Sequence, residues 1–102
     1  MEILETNIKG VKIIQPKLFD DNRGYFFESF KTTSFQNNGL PSNFLQDNEV
    51  KSEHGVLRGL HYQLKNPQGK LVRVILGSII DVAVDIRLGS PTFGKYHLVK
   101  LN

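Results

Sequence analysis

Short runs rich in Val, Ile, Phe and Tyr recur along this chain about every ten residues, each bounded by Gly, Pro, Asn or Asp. β-branched and aromatic side chains suit a pleated, half-buried surface, and closely spaced turn residues leave room for strands but hardly for helices. The pattern is that of a sandwich or small barrel. The runs are Val11 to Phe19, Tyr25 to Phe30, Phe44 to Val50, Val56 to Gln63, Lys70 to Leu76, Ile79 to Leu88 and Tyr96 to Leu101. One helical turn is expected near Thr33 to Asn37, with Thr32 or Thr33 as its cap and Gly39 as its stop. There is no internal repeat and no linker, so the chain reads as a single β domain over residues 1–102.

The clearest strand is Ile79 to Leu88. Ile80, Val82, Val84, Ile86 and Leu88 fall on one face, and Asp81, Asp85 and Arg87 on the other. The apolar face is expected to be dry. The charged face is either solvated or, in a barrel, lines a polar interior that holds a ligand. The chain stops at Asn102 directly after an expected strand, and an open sheet edge there would invite pairing. Either a second chain supplies further strands or this is a piece of a longer protein.

Composition narrows the function classes. Thirteen Lys and Arg against ten Asp and Glu give a formal charge of +3, spread along the chain, which favours an anionic small ligand only weakly. Nucleic-acid binding would need a basic stripe or a known module, and neither is present. Without cysteine there are no disulfides and no thiolate metal sites, and nothing argues for an oxidising compartment. No stretch has the length of a membrane span, and Met1 to Gly10 alternates polar and apolar residues instead of forming a signal-peptide core. A soluble, cytoplasmic protein is expected.

Chemistry concentrates between Gly55 and Gly77, a stretch that holds His61, Gln63 and Lys70 in turn. The spacing resembles the first motif of the cupin superfamily, whose metal-binding members place two His and a Glu facing inward. Here Gln63 stands for the second His and Lys70 falls near the Glu position. Gln is a poor ligand and an ammonium repels a divalent cation, so no metal is expected. What remains is an imidazole able to take a proton from carbon and an ammonium able to steady the resulting oxyanion. A lone strand histidine is more often a satisfied core residue, but Arg58 and Lys70 nearby ask for an anion to justify three basic groups in a β-rich core.

The wording of these segments is also familiar. Arg58-Gly59-Leu60-His61-Tyr62-Gln63 precedes Gln68-Gly69-Lys70-Leu71-Val72-Arg73, then Asp81-Val82-Ala83-Val84-Asp85-Ile86-Arg87, then Ser90-Pro91-Thr92-Phe93-Gly94. Upstream stand Asp21-Asn22-Arg23-Gly24-Tyr25-Phe26-Phe27-Glu28-Ser29-Phe30 and Phe44-Leu45-Gln46-Asp47-Asn48. Taken in this order they resemble the N-terminal portion of the dTDP-4-dehydrorhamnose 3,5-epimerases, and the resemblance covers essentially the whole chain.

The resemblance implies an all-β fold, a cupin-like antiparallel β-barrel or jelly roll, incomplete in this chain. It implies an isomerase of dTDP-rhamnose biosynthesis that inverts carbons 3 and 5 of a dTDP-linked 4-keto-6-deoxy sugar, without a cofactor. His61 would be the base and Lys70 would stabilise the enolate oxygen. Arg23 and Arg58 would contact the diphosphate or sugar, and Glu28, Gln46, Asp47 and Asn48 would bind nucleotide or sugar. One ring of Tyr25-Phe26-Phe27 could stack on thymine while the others pack. A homodimer formed through N-terminal strands is expected. The family's general acid, a Tyr, and the Asp that orients its histidine find no match here, although Asp81 and Asp85 are candidates for the latter. The alternative is therefore a catalytically incomplete dTDP-sugar binding module lacking the C-terminal half; a third possibility is a structural β domain with no nucleotide affinity.

Overall fold

A computed structural model describes every residue from Met1 to Asn102. The chain opens with a hairpin in which β1 (Glu2–Glu5) runs antiparallel to β2 (Lys12–Gln15), pairing Ile3 with Ile14 and Leu4 with Ile13. β1 lies outside the expected runs, although the polar–apolar alternation of the first residues is a strand signal. The connecting turn is organised by Thr6, whose hydroxyl donates to the Val11 carbonyl at 2.8 Å and accepts the Ile8 N–H at 3.2 Å. Ile8 is buried beneath that turn, and Lys12 closes the hairpin with an ion pair to Glu5 at 2.8 Å.

A second, shorter hairpin joins β3 (Phe19–Asp21) to β4 (Gly24–Phe26) through Asn22 and Arg23. Phe19 faces Phe26 with ring centroids 6.4 Å apart, while Tyr25 stacks on Phe27 at 6.0 Å. The third ribbon pairs β5 (Ile79–Val84) with β6 (Tyr96–Leu101), from Ile79 opposite Leu101 to Val84 opposite Tyr96. Two further backbone bonds, Asp85 N–H to Lys95 C=O at 2.9 Å and Gly94 N–H to Asp85 C=O at 2.7 Å, carry the pairing past the strand ends. The first turn is tied to this ribbon by Asn7, which donates to the Tyr96 carbonyl at 3.3 Å and meets His97 Nδ1 at 2.8 Å.

Regular structure is thus β apart from a single helix, in three separate two-stranded ribbons without a closed barrel. Contacts divide the chain into two units, Met1–Phe30 with Val72–Asn102, which contains all three ribbons, and Lys31–Leu71.

The second unit is built on α1 (Thr32–Asn37). Its N-cap is Lys31 and no side chain caps it, which corrects the expectation of a threonine cap. Its C-terminus is as expected: Gly39 adopts φ +66°, its N–H reaches the Gln36 carbonyl at 3.0 Å and the Leu40 N–H reaches the Phe35 carbonyl at 2.9 Å. This is the Schellman arrangement, which satisfies carbonyls the helix leaves open and brings apolar residues on either side of the glycine together. Phe35, 2% exposed, and Leu40 are both buried, and Phe44 meets Phe35 edge-on at 6.5 Å.

Three expected strands, Phe44 to Val50, Val56 to Gln63 and Lys70 to Leu76, are irregular. Their residues have the composition of strands, but a strand exists only when a neighbour accepts its backbone hydrogen bonds, and no segment of this chain pairs with them. The faces of the third ribbon also depart from expectation. Leu88 is 91% exposed, and Ile80, Val82 and Ile86 are exposed too, whereas Asp81, Ala83, His97 and Val99 on the opposite face are half-buried. Facing residues of an antiparallel pair project to one side, so Ile80, Val82, Tyr96 and Leu98 form an apolar sheet face with no second layer over it.

Candidate functional site

Arg23 occupies the tip of the β3–β4 hairpin, and its position is set by Asp21 two residues earlier. The Asp21 carboxylate accepts the Arg23 backbone N–H at 2.8 Å on Oδ1, and Nε and Nη2 of the same arginine at 3.2 and 2.6 Å on Oδ2. An acidic side chain that accepts a backbone N–H two residues on forms an Asx turn, which turns the chain at a strand end. The Arg23 side chain is nonetheless 86% exposed. The pairing lowers the Asp21 pKa, chiefly through the side-chain hydrogen bond from Arg23, and raises that of Arg23 for the same reason. Glu28 lies just beyond β4 and is also exposed.

In the second unit, Gln46, Asp47 and Asn48 sit on an exposed irregular segment, with the Gln46 amide donating to Asn48 Oδ1 at 3.2 Å. Arg58 donates from Nε to the Ser52 hydroxyl at 3.0 Å. His61 and Lys70 are both exposed to solvent. Gly59 holds φ +115°, a conformation open to glycine and strained for side-chain residues, and a Cβ there would sit 3.6 Å from the His61 backbone nitrogen and 3.9 Å from its Nδ1. The glycine of the Arg58–Gln63 segment thus sets the backbone immediately before the histidine.

Asp85, one of the two candidates for orienting a catalytic histidine, is engaged by its own loop. Asp85 is 3% exposed and its two oxygens are filled by its own loop. Oδ1 accepts the Arg87 N–H at 3.0 Å and Arg87 Nε at 2.9 Å, while Oδ2 accepts Arg87 Nη2 at 3.0 Å, Ser90 Oγ at 2.5 Å and Thr92 Oγ1 at 2.6 Å. The Arg87 guanidinium first, then the Ser90 and Thr92 hydroxyls, hold this carboxyl far below the usual range. The site is structural: it folds the segment Arg87–Thr92 onto the end of β5. Asp81 stands on β5 opposite Val99 and is half-buried. A shallow cavity of about 610 Å³ between the first turn and this loop, lined by Thr6, Lys9, Leu88 and Pro91 among others, holds none of the expected site residues. His97 on β6 serves the Asn7 contact.

Sequence reasoning named Arg23 but passed over Asp21. The signal was available as Asp-x-Arg, which occurs at Asp21 and again at Asp85, each time next to a strand end.

Comparison with known proteins decides the family. The sequence model of the dTDP-4-dehydrorhamnose 3,5-epimerase family matches residues 5–102. The chain belongs to that family. The epimerase of Methanothermobacter thermautotrophicus is 54% identical over 99 residues, which are 97% of this chain and 54% of that protein. The Shigella flexneri epimerase is 53% identical over 104 residues, 100% of this chain and 58% of the relative. The chain therefore spans little more than half the length of these two epimerases. Among solved structures, the Legionella pneumophila epimerase in complex with dTDP-4-keto-L-rhamnose aligns with a TM-score of 0.92 at 52% identity, over 98% of this chain and 54% of its own. A Bacillus anthracis epimerase with TDP and PPi bound aligns with a TM-score of 0.90 at 39% identity, over 98% and 58% of the two chains. The ribbons and the irregular strand-like segments thus trace an epimerase backbone, which makes this an incomplete all-β, cupin-like fold. No helix is long and apolar enough to cross a membrane.

Proposed function

We propose that this chain takes part in epimerising dTDP-4-dehydro-6-deoxy-D-glucose at carbons 3 and 5 to dTDP-4-dehydro-L-rhamnose, in the cytoplasm and as a homodimer. The observation that carries the reading is its likeness, at 52% identity and a TM-score of 0.92, to an epimerase holding dTDP-4-keto-L-rhamnose. Both carbons flank the ketone, so their hydrogens are acidified and removal of one leaves an enolate that can be reprotonated from the opposite face. His61 is the base, since an imidazole nitrogen offers a lone pair that can take a proton from carbon. Lys70 places positive charge where the enolate oxygen develops. Arg23 and Arg58 take the diphosphate through charge-assisted bonds, and Glu28, Gln46, Asp47 and Asn48 recognise nucleotide or sugar. No cofactor enters this scheme, because the ketone itself acidifies the carbons.

A second reading, a dTDP-sugar binding module that moves no proton, is favoured by one observation: the chain covers 54% of the Methanothermobacter thermautotrophicus epimerase. NMR of the 4-keto sugar nucleotide incubated with the chain separates the two. Inversion at either carbon supports the proposal. Unchanged sugar that binds in competition with dTDP assigns the chain to the second reading, and neither inversion nor binding overturns both.

A further inference from the structure

The two Asp-x-Arg sites differ in one respect. At Asp85 the carboxylate is buried and sealed by Ser90 and Thr92 in addition to Arg87, so its arginine serves the fold. At Asp21 the same Asx-turn geometry stands in the open, at a two-residue hairpin tip, and the carboxylate receives Arg23 without Ser or Thr partners. Asp21 engages the Nε–Nη2 edge of the guanidinium. Of the five N–H donors an arginine carries, those left over are on Nη1 and Nη2, and they include the pair along the outward Nη1–Nη2 edge. That edge, like the one Asp21 occupies, presents two parallel donors that suit a pair of phosphate oxygens.

From this arrangement we propose that Asp21 is a positioning residue for anion binding: it clamps one edge of Arg23 so that the other faces outward as a preset fork for the diphosphate of a nucleotide sugar. The inference rests on the nucleotide-sugar reading above. An exposed arginine otherwise samples many rotamers, and immobilising such a side chain is part of the cost of binding. Asp21 also places a negative charge near the anion, which opposes it. That repulsion acts between solvent-exposed groups, where the high dielectric of water weakens it, and the sign of the Asp21→Ala change shows which effect wins. The lowered pKa of Asp21 keeps the clamp ionised through the neutral range.

Calorimetric titration of the full chain with dTDP tests this, using Asp21→Ala, Asp21→Glu, Arg23→Ala and the double variant Asp21→Ala/Arg23→Ala. Asp21→Ala is expected to weaken dTDP binding roughly three- to tenfold. Asp21→Glu, which restores a carboxylate for the guanidinium, should recover most of that loss. In the Arg23→Ala background, removing Asp21 should change nothing, because no arginine is left to hold. An equal loss in both backgrounds would mean that Asp21 only shapes the hairpin, and tighter binding by Asp21→Ala would mean that it merely repels the ligand; either overturns the proposal. If the unaltered chain does not bind dTDP, the nucleotide-sugar reading and this inference fall together, whereas binding that is indifferent to Asp21 removes the inference alone.

Discussion

Asp21 and Asp85 carry the same local instruction, an arginine two residues on, yet the structure uses them differently because their downstream residues differ. After Asp85 come Ser90 and Thr92, whose hydroxyls complete a shell around the carboxylate and remove it from solvent. Replacing Asp85 by Ala leaves the Arg87 guanidinium and two hydroxyls without their common acceptor, and unmatched donors are costly where the site is buried. The Asp85→Ala variant should therefore melt several degrees below the parent at pH 7, measured by circular dichroism. Because the folded pKa is depressed below its ordinary value of 3.8, the carboxylate's contribution is complete above that value and is lost as pH falls below it. The gap between variant and parent should hold from pH 7 down to about 5 and close progressively below about 4. At this scale the sequence was informative about residue type and order. It named Arg23, Arg58, His61 and Lys70 as candidates through motifs, but it did not reveal which carboxylates were already committed, since saturation of a carboxylate depends on the path of the loop around it.

Among the elements, those whose hydrogen-bond partners lie nearby in the chain form as read. The strand Tyr96 to Leu101 appears with its expected boundaries, and α1 ends where Gly39 permits a left-handed residue. A Cβ at Gly39 would meet nothing within 4 Å, so Gly39→Ala carries only the conformational penalty of φ +66°. That penalty is about 1 kcal/mol. It should appear as a lower urea midpoint, and Gly39→Asn should lose less, because Asn tolerates this region better than Ala. Segments whose neighbours are not supplied by this chain behave otherwise. Phe44 to Val50, Val56 to Gln63 and Lys70 to Leu76 have strand composition and an epimerase-like path without strand hydrogen bonds. Composition reports what a segment suits; pairing decides what it becomes.

The whole molecule shows the same division. Its buried apolar side chains are Ile8, Phe35 and Leu40, whereas a face of the β5–β6 ribbon and both Tyr25 and Phe26 are open to solvent. Two-stranded ribbons are marginal alone, and contiguous apolar surface marks a place for association. This bears on the chemistry. The family motif supplies an imidazole and an ammonium, but both His61 and Lys70 are exposed, and a charge stabilises an oxyanion far better in a dry site than in water. Proton removal from carbon needs the imidazole, a held substrate and positive charge at the enolate oxygen, and it comes before any reprotonation on the far face. The most direct test is mass-spectrometric deuterium uptake by dTDP-4-dehydro-6-deoxy-D-glucose in heavy water, with the chain and its His61→Ala variant compared at equal dTDP occupancy. Uptake at a carbon beside the ketone is expected for the parent and should disappear in the variant; uptake that persists in the variant, or its absence from the parent despite bound nucleotide, would contradict His61 as the base.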